Sequence, residues 1–231
     1  MTQLRALTAA GGGPGTDTAQ RFLASAFDSV DAVLETLEKL RVIRQQAGGD
    51  IRGRLTSNEE DLLRAAIVFT GAGLDATLKQ LIRDTLPQLL DISTQAHEKF
   101  ETFAAQRLGT GEIADTKIIA RYLISADPRE RLIEDYIYDL TGSSLQSAEE
   151  VGKVAGALGI DDQALRRRIE RLKSLFVARN EVSHELDLQR PEQPGDRTRR
   201  TRPLGQTKEL CQEGLEVAQL MLNAAGGLLT P

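Results

Sequence analysis

Gaps of four, three, four and three residues separate Leu23, Phe27, Val30, Leu34 and Leu37. Side chains at that period line one face of an α-helix, and a helix with one apolar face must bury it against another element. The same period returns in Leu63, Ile67, Leu74, Leu78 and Leu81, and again in Leu210, Gly214, Val217 and Met221. No segment alternates apolar and polar residues as a half-buried strand would. The expected fold class is therefore all-α, a bundle of long antiparallel helices.

The punctuation predicts the segments. A first helix is expected over Thr18–Gln46, stopped by Gly48-Gly49. A second opens at a capping box, Ser57 with Glu60, and runs towards Pro87. Its Gly71-Ala72-Gly73 step is read as permitting close approach by another helix. Shorter helices follow at Thr94–Arg107, Asp115–Ile124, Pro128–Leu140 and Leu145–Leu158. They make residues 93–159 a helical insertion packed on one side of the bundle. A further helix spans Asp161 or Asp162 to Leu186, then a polar basic loop over 187–204, then a last helix over Gly205–Ala225. Residues 17–231 form one domain preceded by a flexible arm, 1–16. The arm's Gly11-Gly12-Gly13-Pro14-Gly15 lacks the Gly-Lys-Ser/Thr of a phosphate loop and is read as linker.

Composition narrows the chemistry. With no tryptophan and 4% aromatic residues, the core is built from Leu, Ile, Val and Ala. Cys211 is the only cysteine, so neither an internal disulfide nor a cysteine-based metal site is available. No apolar run approaches the ~20 residues that span a bilayer, and a cytoplasmic protein with no membrane partner is expected. The net charge of −5 argues against a general nucleic-acid binder, but its distribution is uneven. Between Gln163 and Arg202 stand 11 Lys/Arg and 6 Asp/Glu, a local +5, which leaves −10 for the remainder. Arg166, Arg167, Arg171, Arg197, Arg199 and Arg200 are the residues expected to meet a polyanion such as RNA.

That charge surrounds Arg179-Asn180-Glu181-Val182-Ser183-His184. An apolar stripe through Leu165, Ile169, Leu172 and Phe176 reaches Arg179 and then Ser183 where further apolar side chains are due. Ser183, Asn180 and His184 fall about 40°, 100° and 140° around the helix axis from Arg179, so one arc carries all four. The arc holds a permanent cation with five donors, an amide, a hydroxyl and an imidazole that titrates near neutrality. Such a set suits a phosphodiester better than a carbonyl.

The string Arg179-x4-His184, with Asn180 directly after the arginine, resembles the Arg-x4-6-His motif of HEPN domains. These are helical domains that often act as metal-independent endoribonucleases in toxin–antitoxin, antiphage and RNA-processing systems. The resemblance implies a HEPN-like bundle, a homodimer through the motif helix, and RNA as substrate. It also implies an antitoxin or regulatory protein as a further partner, and no metal or other cofactor. His184 would act as general base or acid, Arg179 would stabilise the phosphorane-like transition state, and Asn180 would position phosphate or His184. Products would carry a 2′,3′-cyclic phosphate and a 5′-hydroxyl. Ser183 and Asp75, the latter on the second helix, are expected in support.

Two other classes fit parts of the sequence. One is a non-catalytic helical dimer binding RNA, nucleotide or a protein partner. The other is a helix-turn-helix DNA-binding regulator, drawn from Val154-Ala155, Gly159-Ile160 and Leu165 with Arg166, Arg167 and Arg168 facing phosphates. An ordinary helix corner is preferred to the latter, because the second helix is expected to continue unbroken into the bundle seam. His97, flanked by Ala96 and Glu98, is read as a surface residue.

Overall fold

The computed structural model describes residues 4–7, 13, 15–48, 55–109 and 116–230. Among them the regular structure is helical: α1 Asp17–Gln46, α2 Ser57–Ile92, α3 Thr94–Leu108, α4 Thr116–Leu123, α5 Pro128–Thr141, α6 Ala148–Ala157, α7 Gln163–Arg171, α8 Lys173–Glu185 and α9 Leu204–Leu229. An isolated antiparallel bridge, Leu188 to Arg199, closes the loop between α8 and α9. The fold is all-α. Among the described residues no helix is long and apolar enough to cross a membrane.

The 36-residue α2 is the axis of the molecule. It packs along α1, α8 and α9, while α3, α5 and α6 gather against it on another side. Leu23, Val30, Leu34 and Leu37 of the first apolar series are fully buried, as are Leu63, Ile67, Leu74, Leu78 and Leu81 of the second. Two glycines of the Gly71-Ala72-Gly73 step give α2 its close contacts. A Cβ on Gly73 would lie 2.2 Å from Cβ of Ala26 on α1, and one on Gly71 would lie 3.1 Å from Cγ of Arg179 on α8.

Several boundaries differ from the sequence reading. The capping box of α2 sits one residue earlier, with the Thr56 side chain accepting from Glu59 N at 3.3 Å and Thr56 N donating to Glu59 at 2.7 Å. The extended backbone of Thr56 makes it the cap and Ser57 the first helical residue. The helix also continues through Pro87, because Leu86, Leu89 and Leu90 beyond the expected stop are buried and packing outweighs the lost N–H. Asp115, the expected start of the fourth helix, lies outside the described residues, as does Gly49.

The helix expected to run unbroken into the motif is interrupted at Leu172. There the N–H donates to Ile169 O, three residues back, at 3.0 Å. This tightened turn re-aims the buried face, from Leu165 and Ile169 on α7 to Leu175, Phe176 and Ala178 on α8. At the N-terminus, part of the expected flexible arm is docked. Leu4 is buried, its N–H donates to Asp31, and Arg5 meets Gln212 and Glu216 of α9.

Candidate functional site

Arg179, Asn180, Ser183 and His184 occupy the last two turns of α8. Arg179 leaves the helix beside Gly71 of α2, where the absence of a side chain makes room for its aliphatic stem. Its Nη1 then donates to Oδ1 of Asn180 at 3.1 Å and approaches Nε2 of His184 at 3.5 Å. A guanidinium has donors only, so in this contact the imidazole nitrogen can serve only as acceptor. Arg179 and Asn180 are half-buried, whereas Ser183 and His184 are exposed. The four polar groups thus meet solvent along one edge of the helix. Exposed Val177 (57%) on α8 and Leu186 (66%) just past its end flank them, and Phe69 is exposed on α2.

The end of α8 is fixed by a buried ionic cluster that the sequence reading missed. Asp187 is fully buried and accepts from Arg64 Nε at 2.7 Å and Arg202 Nε at 3.1 Å. Arg64 also reaches Glu60 at 3.2 Å, Asp61 at 3.0 Å and the carbonyl of Arg200 at 2.8 Å. Arg202 meets Glu181 of α8 at 2.7 Å. Burial works against the charge of both guanidiniums, but the facing carboxylates outweigh it and hold both above the ordinary arginine range. The cluster also holds Leu186 and Asp187 in left-handed conformation, with φ of 51° and 59°. Two consecutive non-glycine residues there are sustained only where surrounding contacts over-determine them. The signal available in sequence was Arg64 one turn after Glu60 on α2. Its partner Asp187 lies 123 residues away.

The expected supporting acid is used elsewhere. Asp75 accepts from Leu145 N at 2.7 Å and pairs with Lys79 at 3.0 Å, tying α2 to the loop before α6 instead of orienting Arg179 or His184. The Ser183 hydroxyl has no partner among the described residues. His97 is exposed, with Nε2 3.4 Å from Glu101.

Much of the basic surface is neutralised from within. Arg166 pairs with Asp161 at 2.5 Å, Arg171 with Glu213 at 2.9 Å and Arg199 with Asp61 at 2.5 Å. Arg200 lies between Glu181 and Glu185 at 3.2 and 3.1 Å. Arg168, forked onto Glu213 and Glu216, is held well above its ordinary pKa, first by its bond to Glu213. Arg167 and Arg197 are exposed and make no ion pair with a described residue.

This pairing bears on the helix-turn-helix. α6, the turn at Gly159 and the separate α7 do form such a corner, so the unbroken helix weighed against that reading is absent. Two of the three arginines expected to face phosphates, Arg166 and Arg168, are however engaged by carboxylates of the same chain. Among the described residues no group of three or more His, Cys, Asp or Glu side chains is placed to hold a metal ion. In comparisons with known proteins, no family model, no curated protein and no solved structure matches the chain.

Proposed function

We propose that this protein is an endoribonuclease of the HEPN type that cleaves RNA by attack of the substrate's own 2′-hydroxyl. The observation carrying the proposal is the convergence of Arg179 Nη1, Asn180 Oδ1 and His184 Nε2 within 3.5 Å on an accessible helix edge. In this reaction His184 takes the 2′-hydroxyl proton as the oxygen bonds to phosphorus. The bond from phosphorus to the 5′-oxygen breaks, and that oxygen takes a proton from water, to which His184 then returns the one it accepted. The products are a 2′,3′-cyclic phosphate and a 5′-hydroxyl. Arg179 moves its forked donors from the imidazole to the phosphate oxygens as their charge grows, and Asn180 keeps the guanidinium in line.

A second copy is the proposed partner. The exposed Val177 and Leu186 on either side of His184 are the apolar contacts that would bring two motif helices together across a two-fold axis. The biological setting proposed is a toxin or defence effector, restrained by an antitoxin or regulatory protein.

The test is an oligoribonucleotide with one cleavable site. Cleavage should yield cyclic-phosphate ends and should stop when the nucleotide 5′ to the scissile phosphate is 2′-deoxy. Persistent cleavage of the deoxy-substituted strand would rule out the mechanism.

One observation favours a second reading, a helical dimer that binds RNA, nucleotide or protein without cutting. Four of the six arginines expected to meet RNA are paired internally. RNA binding at the motif that survives Arg179→Ala and His184→Ala, without cleavage by the wild type, would select it.

A further inference from the structure

A recess lies away from the motif, between α3, α5, α6 and α7, with a volume of about 890 Å³. Neither Arg179 nor His184 lines it. That volume falls in the range of small-molecule sites, roughly 300–1,000 Å³. Phe103 and Tyr136 give it an aromatic wall. The rings of Phe103 and Tyr136 lie 4.7 Å apart and tilted by 32°. Gly152 and Gly156, one turn apart on α6, present backbone alone, and a Cβ on Gly152 would meet no atom within 4 Å.

The polar groups around this floor are not all satisfied. Arg107, Lys153 and Arg166 on the rim are paired with Asp135, Asp139 and Asp161. Lys99 of α3 and Lys173 of α8 also line the groove and form no ion pair with a described residue, and the same holds for Glu149 and Glu170. Tyr136 is 4% exposed, yet its hydroxyl has no hydrogen-bond partner among the described residues. Burial, with Asp139 adding to it, pushes that hydroxyl up to about 12, so it stays a neutral donor at any working pH. Without a protein acceptor, this hydroxyl is free to donate to a group in the groove.

An aromatic wall, an unpaired hydroxyl donor, two free carboxylates and two free ammonium groups match the parts of one ligand class. We propose that this groove binds a nucleoside phosphate, free or as one unit of an RNA strand. The base lies against Phe103 and the bare backbone at Gly152 of α6, where every base can stack, and the Tyr136 hydroxyl donates to it. Glu149 and Glu170 accept from ribose hydroxyls, and Lys99 and Lys173 meet the phosphate. The proposal does not depend on the ribonuclease reading, because none of these residues belongs to the motif.

The test is isothermal titration of the full chain with AMP, GMP, CMP and UMP, beside adenosine and inorganic phosphate as half-ligands. At least one nucleotide should bind tenfold or more tightly than either half-ligand. The Lys99→Ala/Lys173→Ala pair, both on exposed positions, should weaken that nucleotide about tenfold and leave adenosine unchanged. Gly152→Leu should fill the slot and abolish both; it replaces a poor helix former facing open space, so its melting curve should be retained. If it fails to fold, Tyr136→Phe and the lysine pair carry the test. A hexaribonucleotide, titrated into His184→Ala protein so that nothing is cut, separates the sources. Tighter binding than the mononucleotide assigns the groove to a strand, weaker binding to a free nucleotide. No nucleotide binding beyond that of inorganic phosphate, or wild-type binding by folded Gly152→Leu, overturns the proposal.

Discussion

Nη1 of Arg179 stands 3.5 Å from Nε2 of His184, five residues further along the same helix. The two reach each other because the arginine stem passes over Gly71 and its head is held by Asn180. Lysine cannot reproduce this, since an ammonium lacks the planar fork that bonds Asn180 and a phosphate together. Arg179→Lys should lower RNA cleavage roughly 100-fold. Its melting temperature should stay within a few degrees of wild type, because the residue is only half-buried. Single-turnover rates with calorimetry on the same sample check both halves.

The two glycines of α2 should separate position from stability. In Gly71→Ala the new methyl meets Arg179 Cγ at 3.1 Å, a flexible stem that can yield at the expense of its aim. Cleavage should fall while stability holds or rises slightly through helix propensity. In Gly73→Ala the methyl meets Ala26 Cβ at 2.2 Å, so α1 and α2 must part. Overpacking of this kind costs about 1–3 kcal/mol. Paired urea titrations distinguish the two outcomes.

Asp187→Asn should destabilise the fold through the charges it leaves behind. Arg64 and Arg202 would lose their buried counter-ion, at a cost of about 3 kcal/mol, or roughly 6–12 °C in a chain of this size. The left-handed turn at Leu186 would loosen too, so cleavage should fall even at temperatures where the variant is folded. An unchanged melting temperature would mean that the cluster does not hold the end of α8.

Alkaline pH should reveal Cys211. Burial pushes its thiol up to about 11, against a bond from Thr70 that lowers it slightly. The unfolded thiol ionises near its ordinary value of about 8.5. The folded state therefore binds the proton more tightly, and its advantage is complete below that value and lost as pH rises through about 11. Stability should fall over this window by roughly 3 kcal/mol more in wild type than in Cys211→Ala. Thiol reagents at neutral pH should label the protein only on unfolding.

The helical period and the polar arc were legible because both depend on neighbours three to five residues apart. Arg179, Asn180 and His184 emerge on one edge of α8, as their spacing predicts. The cap of α2 was ambiguous by one residue, because Thr56 and Ser57 are followed by Glu59 and Glu60 and either pair can form the box. The break at Leu172 carries no glycine or proline; it is set by which neighbours bury Ile169 and Phe176. Counting charge located the basic segment but could not show that Asp61, Asp161 and Glu213 were waiting for its arginines. Nor could it link Arg64 to Asp187, whose meeting depends on how α2 packs against the end of α8.

The most direct test of the account is incubation of the purified protein with total RNA in excess EDTA, beside His184→Ala. His184 is exposed, so its replacement should leave the fold intact. The account predicts that only the wild type cuts, leaving 2′,3′-cyclic phosphate and 5′-hydroxyl ends. Equal cutting by both proteins, or intact RNA with the wild type, would contradict it.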